Sequence, residues 1–207
     1  MPITPYILRV IKASLLARPY DFDNIMLWAA CCLGFFAFLR SGEMTVPSAA
    51  SFDPKWHLTP MDVAVDSQSA SSTIQITLKG SKTDQTRSGV QLYIGRSFDD
   101  ICPLAALLTY LSIRGMDAGP LFRLESGQPL TRQTLVKLIK STLQSQGVDP
   151  TRYSGHSFRI GAATTAAACG IGDATIQTLG RWKSDSYARY IRIPREELAQ
   201  LAPRLAE

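Results

Sequence analysis

Gly155-His156-Ser157-Phe158-Arg159-Ile160-Gly161-Ala162-Ala163, followed by Leu179-Gly180-Arg181-Trp182 and then Tyr190-Ile191-Arg192, is the stretch that decides how this chain reads. It sets a histidine three residues before an arginine, then an indole, then a phenol. Attack on a phosphodiester builds negative charge on the non-bridging oxygens, and catalysis consists mostly of preorganised donors around that charge. Arginine suits the task because its planar fork is always charged and can bind two oxygens at once. A histidine with a pKa of about 6.5 exchanges protons at neutral pH. A tyrosine hydroxyl, with a pKa of about 10, attacks only when a proton acceptor and a cationic cradle surround it. Together these side chains supply what a metal-free phosphodiester site needs.

Working outward, His156 and Arg159 share one face of a helix start, and free amides at such a start favour phosphate. Upstream, Leu39-Arg40-Ser41-Gly42-Glu43 closes the uncharged run Ile25 to Leu39 with a second arginine. Glu43 at i+3 can orient Arg40. A cation ending an apolar helix also complements the helix dipole, so a structural role for Arg40 stays open. Lys82 in Ser81-Lys82-Thr83 sits in a polar turn between two strand-like runs, with Lys79 as its competitor. A solvated loop lysine is the plain alternative there. Tyr187 competes with Tyr190 as nucleophile, and Arg181 competes with Trp182, for which a core tryptophan is the bland reading.

These motifs, in this order, resemble the catalytic domain of the tyrosine recombinases, the phage-integrase family, and its Cre-like members most of all. The resemblance covers roughly residues 24 to 200. It implies cleavage and rejoining of double-stranded DNA through a 3′-phosphotyrosine intermediate, without metal, nucleotide or other cofactor. It implies catalytic roles for Arg40, Lys82, His156, Arg159, Trp182 and Tyr190, with Glu43 and Arg181 in support. By the same resemblance Lys82 protonates the leaving 5′ oxygen and Trp182 donates its indole N–H to the phosphate. The helix opened by Thr131 reads plainly as a solvated charged face; the resemblance instead lays it in the major groove, which would make Arg132, Gln133 and Lys137 DNA contacts, with Lys79, Arg87, Lys183, Arg189 and Arg192 extending the phosphate track. The apolar stripe of the terminal helix, 194–207, must be buried: either it packs in cis on its own domain or, as the resemblance implies, it docks into a neighbouring protomer. A eukaryotic mobile element fits this character and would place the protein in the nucleus.

Family members carry a separate helical core-binding domain upstream, whereas here 38 residues precede Leu39, where the first motif begins. The expected organisation is therefore an N-terminal helix and linker remnant at 1–22 and a catalytic domain at 23–207. That shortness makes a rival of another class credible: a DNA-binding remnant without catalysis. The shared chemistry also leaves recombination and strand relaxation of the type IB topoisomerase kind unseparated.

Composition bounds the rest. A chain of 207 residues, 45% hydrophobic and 19% charged, can bury a full core. Its net charge of +5 is informative only where it clusters beside the phosphate motifs. Cys31, Cys32, Cys102 and Cys169 show neither CxxC pairing nor metal spacing with His57 and His156, which suits a reducing, intracellular setting. The run Ile25 to Leu39 spans 15 residues, short of the ~20 that a membrane helix needs, and reads as a buried helix. The N-terminus has no basic region of a signal peptide. Acidic residues show no two-metal spacing, and no phosphate loop of the GxxxxGK[ST] type is found.

Periodicity predicts helices over 5–16, 23–40, 103–115, 130–146, 155–169, 172–180 and 184–191, and a last one from Pro194. Alternation with β-branched residues predicts strands at 62–65, 73–78 and 90–94. The fold class is α+β, mostly helical with one small three-stranded antiparallel sheet.

Overall fold

Thr4 starts the first helix because its hydroxyl accepts from the Ile7 amide at 3.4 Å, and Pro5 has no N–H to leave unpaired in the first turn. This helix, α1 (Pro5–Leu15), buries Ile7, Leu8, Ile11 and Leu15 on one stripe. The second, α2 (Phe22–Phe36), is opened by the Asp21 carboxylate, which accepts from the Asn24 amide at 2.9 Å. Every residue from Ile25 to Phe35 is buried, because α1, α4 (Pro103–Arg114) and α6 (Ser157–Ala168) pack around it. Its unbroken apolar sequence is that of a central helix. The computed structural model describes residues 1–18, 20–66, 72–79 and 89–192.

The expectation that this helix runs to Arg40 is corrected. It stops at Phe36, and Phe38 takes φ of 51°, a left-handed turn that breaks the hydrogen-bond ladder. A four-residue helix, α3 (Ser41–Met44), follows, so Arg40 stands at its N-cap and not at the C-terminal end of an apolar helix. The dipole explanation for Arg40 falls with that correction.

Strands β1 (Val63–Asp66), β2 (Thr73–Leu78) and β3 (Val90–Gly95) form an antiparallel sheet in that order. Val63 pairs with Ile76, and Ile74 with Ile94. Ile74, Ile76 and Leu78 alternate onto the core face, which fixes the register, since a slip of one residue would turn them to solvent. The fold class is as expected.

Two further helices, α5 (Arg132–Ser145) and α7 (Asp173–Gly180), and 3₁₀ turns at Ala49–Ser51, Pro60–Asp62 and Asp185–Tyr190, the last where a helix over 184–191 was expected, complete the described elements. Thr131 caps α5 by accepting from the Thr134 amide at 3.0 Å. The start of the chain lies against α6: the Ile3 amide donates to the Ser157 carbonyl at 2.9 Å. A Cβ at Gly161 would stand 1.8 Å from the Ile3 carbonyl oxygen, so only glycine lets the two backbones approach there. The expected helix at 194–207 lies outside the described residues. Among those described, no helix is long and apolar enough to cross a membrane.

Candidate active site

The left-handed turn at Phe38 brings the three arginines of the motifs together. Arg40 leaves that turn as the N-cap of α3, and Glu43 folds back on it. Glu43 Oε2 accepts from the Arg40 amide at 2.8 Å, and Oε1 accepts from Arg40 Nη1 at 2.7 Å. The same carboxylate accepts from Arg181 Nη2 at 2.7 Å. Glu43 is 5% exposed, so these are shielded, charge-assisted bonds and not a surface ion pair.

Arg159 lies deeper, at 1% exposure. It projects from the first turn of α6, donates from Nη1 to the Phe38 carbonyl at 2.9 Å and from Nη2 to the Gly180 carbonyl, and has no partner for Nε. Its Cζ stands 4.0 Å over the Trp182 ring and 5.7 Å from the Tyr190 ring. Burial first, then the charges of Arg40 and Arg181, lower its pKa to about 9. Three guanidiniums therefore face one carboxylate, an excess of two positive charges. Such a cluster favours an anion.

Gly180 and Arg181 shape the other wall. Arg181 closes α7 with φ of 55°, and the chain doubles back so that Trp182 lies on Gly180. A Cβ at Gly180 would meet the indole at 1.5 Å, so the Leu179-Gly180-Arg181-Trp182 turn needs its glycine. Trp182 is 9% exposed, with its ring 5.1 Å from Tyr190 and 6.4 Å from Tyr187. The Tyr190 segment is tied to α6 through Thr164, whose hydroxyl donates to the Tyr190 carbonyl at 3.1 Å and accepts from the Arg192 amide at 3.0 Å.

A cavity of about 340 Å³ opens between these parts, lined by Arg40, Arg181, Trp182, Lys183, Ser184, Ser186, Arg189 and Tyr190. Tyr187 is not in its lining. Instead, a hydrogen bond to Asp173 and the nearby charges of Asp173 and Asp185 raise the Tyr187 pKa, which makes its phenolate harder to form. Ser184 and Ser186 were not foreseen as lining residues. The sequence signal for them is the Ser184 N-cap, whose hydroxyl accepts from the Ser186 amide at 3.4 Å.

His156 is exposed at the N-cap of α6, outside the lining of the cavity. Partial burial first, then the charges of Arg132, Arg159 and Arg40, lower its pKa. Arg132 comes close because its amide donates to the Val46 carbonyl at 3.2 Å, just beyond α3, and its Nε lies 3.8 Å from where a Cβ of Gly155 would be. Burial and the neighbouring arginines thus favour the neutral ring, the form that accepts a proton.

The remaining expected residues are more dispersed. Arg132, Gln133 and Lys137 are exposed on α5, and Lys183, Arg189 and Arg192 are exposed around the Tyr190 turn. Lys79 is engaged elsewhere: its Nζ pairs with Asp62 at 2.6 Å and donates to the Pro54 carbonyl at 2.6 Å. Lys82 and Arg87 lie outside the described residues. Among those described, no group of three His, Cys, Asp or Glu is placed to hold a metal ion.

Residues 68–195 match the model of the phage integrase family, more than half of the chain. The chain belongs to the phage integrase family. It is 32% identical over 124 residues to an integrase/recombinase XerD homolog of Selenomonas ruminantium, a match covering 54% of this chain and 35% of that protein. Among solved structures it is similar to the XerH site-specific recombinase in a post-cleavage complex with palindromic difH substrate, with a TM-score of 0.71 and 16% identity over all of this chain and 53% of that one. A lambda integrase dimer bound to a COC′ core site gives 0.59 and 16% identity, covering 92% of this chain and 47% of that one. The chain thus spans about a third of that curated relative and about half of those structures. At these identities the structural likeness establishes the fold.

The histidine geometry is testable without DNA. In an NMR titration of the two histidines, His156 should titrate below the ordinary histidine value. Arg132→Ala should move its midpoint upward, because it removes a positive charge that disfavours the imidazolium. An unmoved midpoint would show that Arg132 does not face the ring.

Proposed function

We propose that this chain is the catalytic domain of a tyrosine recombinase, cleaving and rejoining duplex DNA through a 3′-phosphotyrosine bond to Tyr190. The observation that carries this reading is that Tyr190 lines the same cationic cavity as Arg40 and Arg181 while its ring lies 5.7 Å from Arg159. Nucleophile and charge-holding groups therefore come from one protomer. The scissile phosphate enters the cavity, with Arg40 and Arg159 stabilising the charge that grows on its oxygens. His156, whose surroundings favour its neutral form, takes part in removing the Tyr190 proton. Attack forms the phosphorus–Oη bond and breaks the bond to the 5′ oxygen, which Lys82 protonates. The reverse attack by a 5′ hydroxyl rejoins the strand and frees the tyrosine.

One observation favours a second reading, a DNA-binding remnant without catalysis. Arg159 is buried and bonded to two backbone carbonyls, so phosphate reaches it only if the Trp182 and Tyr190 rings shift.

The two readings separate on a pool of nicked suicide duplexes with randomised arms. The recombinase reading predicts a covalent adduct that survives boiling in detergent, is lost in Tyr190→Phe and is retained in Tyr187→Phe. Arg40→Ala should slow its formation by roughly 10²–10³, as the loss of one oxyanion donor does, with a much smaller loss of DNA affinity. DNA binding with no adduct from the wild-type protein would establish the remnant.

For assembly on DNA we place the contact in residues 194–207, where Leu198, Leu201 and Leu205 fall at i, i+3 and i+7. Sedimentation of DNA complexes should show that a chain ending at 193 binds as a monomer. Undiminished association would move the contact elsewhere.

A further inference from the structure

Arg181 differs from its two neighbours in how its donors are engaged. Nη1 donates to the carbonyls of Ala37 at 3.1 Å and Leu179 at 3.3 Å, and Nη2 donates to the Phe38 carbonyl at 3.2 Å and to Glu43 Oε2 at 2.7 Å. Its Nε is buried without a partner. A guanidinium has five N–H donors. The four on the Nη atoms already have protein acceptors, and the fifth is closed off from solvent. Arg40 uses one Nη bond, to Glu43, and keeps 25% of its side chain exposed at the cavity. The two arginines line one cavity, but only Arg40 has donors to offer there.

The acceptors of Arg181 lie at both ends of the site. Ala37 and Phe38 belong to the turn that delivers Arg40, Glu43 orients Arg40, and Leu179 belongs to the helix that leads into Trp182 and Tyr190. Both turns hold a non-glycine residue in the left-handed region, Phe38 at φ of 51° and Arg181 at 55°, a conformation that persists where surrounding bonds hold it. The Phe38 carbonyl that Arg181 grips also accepts from Arg159.

We propose that Arg181 is a positioning residue and not a phosphate donor: it acts through Glu43 and the Phe38 carbonyl, locking the Arg40 turn to the segment that carries Tyr190. The proposal rests on the reading of the cavity as the phosphate site. The donor to phosphate on this segment is then Trp182 or a basic residue after it. Lysine cannot replace Arg181, since an ammonium has no planar fork with which to reach four acceptors on two elements.

The test is adduct formation by the full chain on the same pool of nicked duplexes, in single turnover, with affinity for a plain duplex measured in parallel. Arg181→Lys keeps the charge and should still lower the cleavage rate by about 10²-fold, the lower end of the range for a lost active-site donor, with affinity changed by less than about threefold. In a Glu43→Gln background, Arg181→Lys should cost little more, because residues acting as one unit are not additive. A near-normal rate for Arg181→Lys, or an equal further loss in the Glu43→Gln background, would overturn the proposal and make Arg181 an independent charge on the phosphate. If Arg181→Lys does not fold, as judged by its thermal midpoint, Glu43→Asp serves instead. It retains the charge but shortens the reach to Arg181, so the proposal expects a comparable rate loss and is overturned by an unchanged rate. No adduct from the wild-type chain would remove the underlying reading of the cavity, and this proposal with it.

Discussion

The carbonyl of Phe38 is the acceptor on which the site depends, taking a hydrogen bond from Arg159 at 2.9 Å and another from Arg181 at 3.2 Å. Phe38 can present it because the chain leaves α2 in a left-handed turn, with the aromatic ring 6% exposed in the core. Hydrogen bonds to charged groups contribute about 1.5–3 kcal/mol each, enough to offset a strained backbone position of about 1–3 kcal/mol. Among the described residues, Glu43 supplies the only full negative charge in the cluster. With it alone the three arginines remain two charges in excess, and burial, together with the charges of Arg40 and Arg181, lowers the Arg159 pKa to about 9. A phosphate in the cavity would supply the missing counter-charge without rearranging the Glu43 bonds. That is electrostatic preorganisation, built from one carbonyl and one carboxylate.

The scaffold makes this arrangement rigid. Helix α2 is buried from Ile25 to Phe35, which anchors the turn that follows it. Helix α6 holds Arg159 at its start and, through Thr164, the backbone of Tyr190 and Arg192 further along. Arg181 closes the loop between the two. The tyrosine and the arginines thus share supports, and a shift in either helix would be felt at both.

Much of the fold was legible because its signals are local. Thr4 and Thr131 each announce a helix start, and the alternation of Ile74, Ile76 and Leu78 announces a strand. The end of α2 was not legible. Phe36-Ala37-Phe38-Leu39 holds no glycine or proline, and what stabilises its turn arrives from Arg159 and Arg181, more than a hundred residues away. The same limit applies at the site. Spacing could name Arg40, His156, Arg159 and Tyr190, and it left Arg181 and Trp182 as rivals for one position. In the fold the two side chains part: Arg181 is bonded to Glu43, and Trp182 lies over Arg159. Lys79 reads in the sequence as part of the phosphate track, and the fold places Asp62 at 2.6 Å from it.

The most direct measurement is a crystal structure of the full chain with a nicked duplex and orthovanadate, which takes up the geometry of a phosphate under attack. The account predicts vanadium in the cavity, bonded to the Tyr190 hydroxyl oxygen, with its equatorial oxygens held by Arg40 and Arg159 and with the Glu43 bonds to Arg40 and Arg181 unchanged. Vanadate bound away from Tyr190, or an Arg181 that has left Glu43 to grip it, would contradict the account.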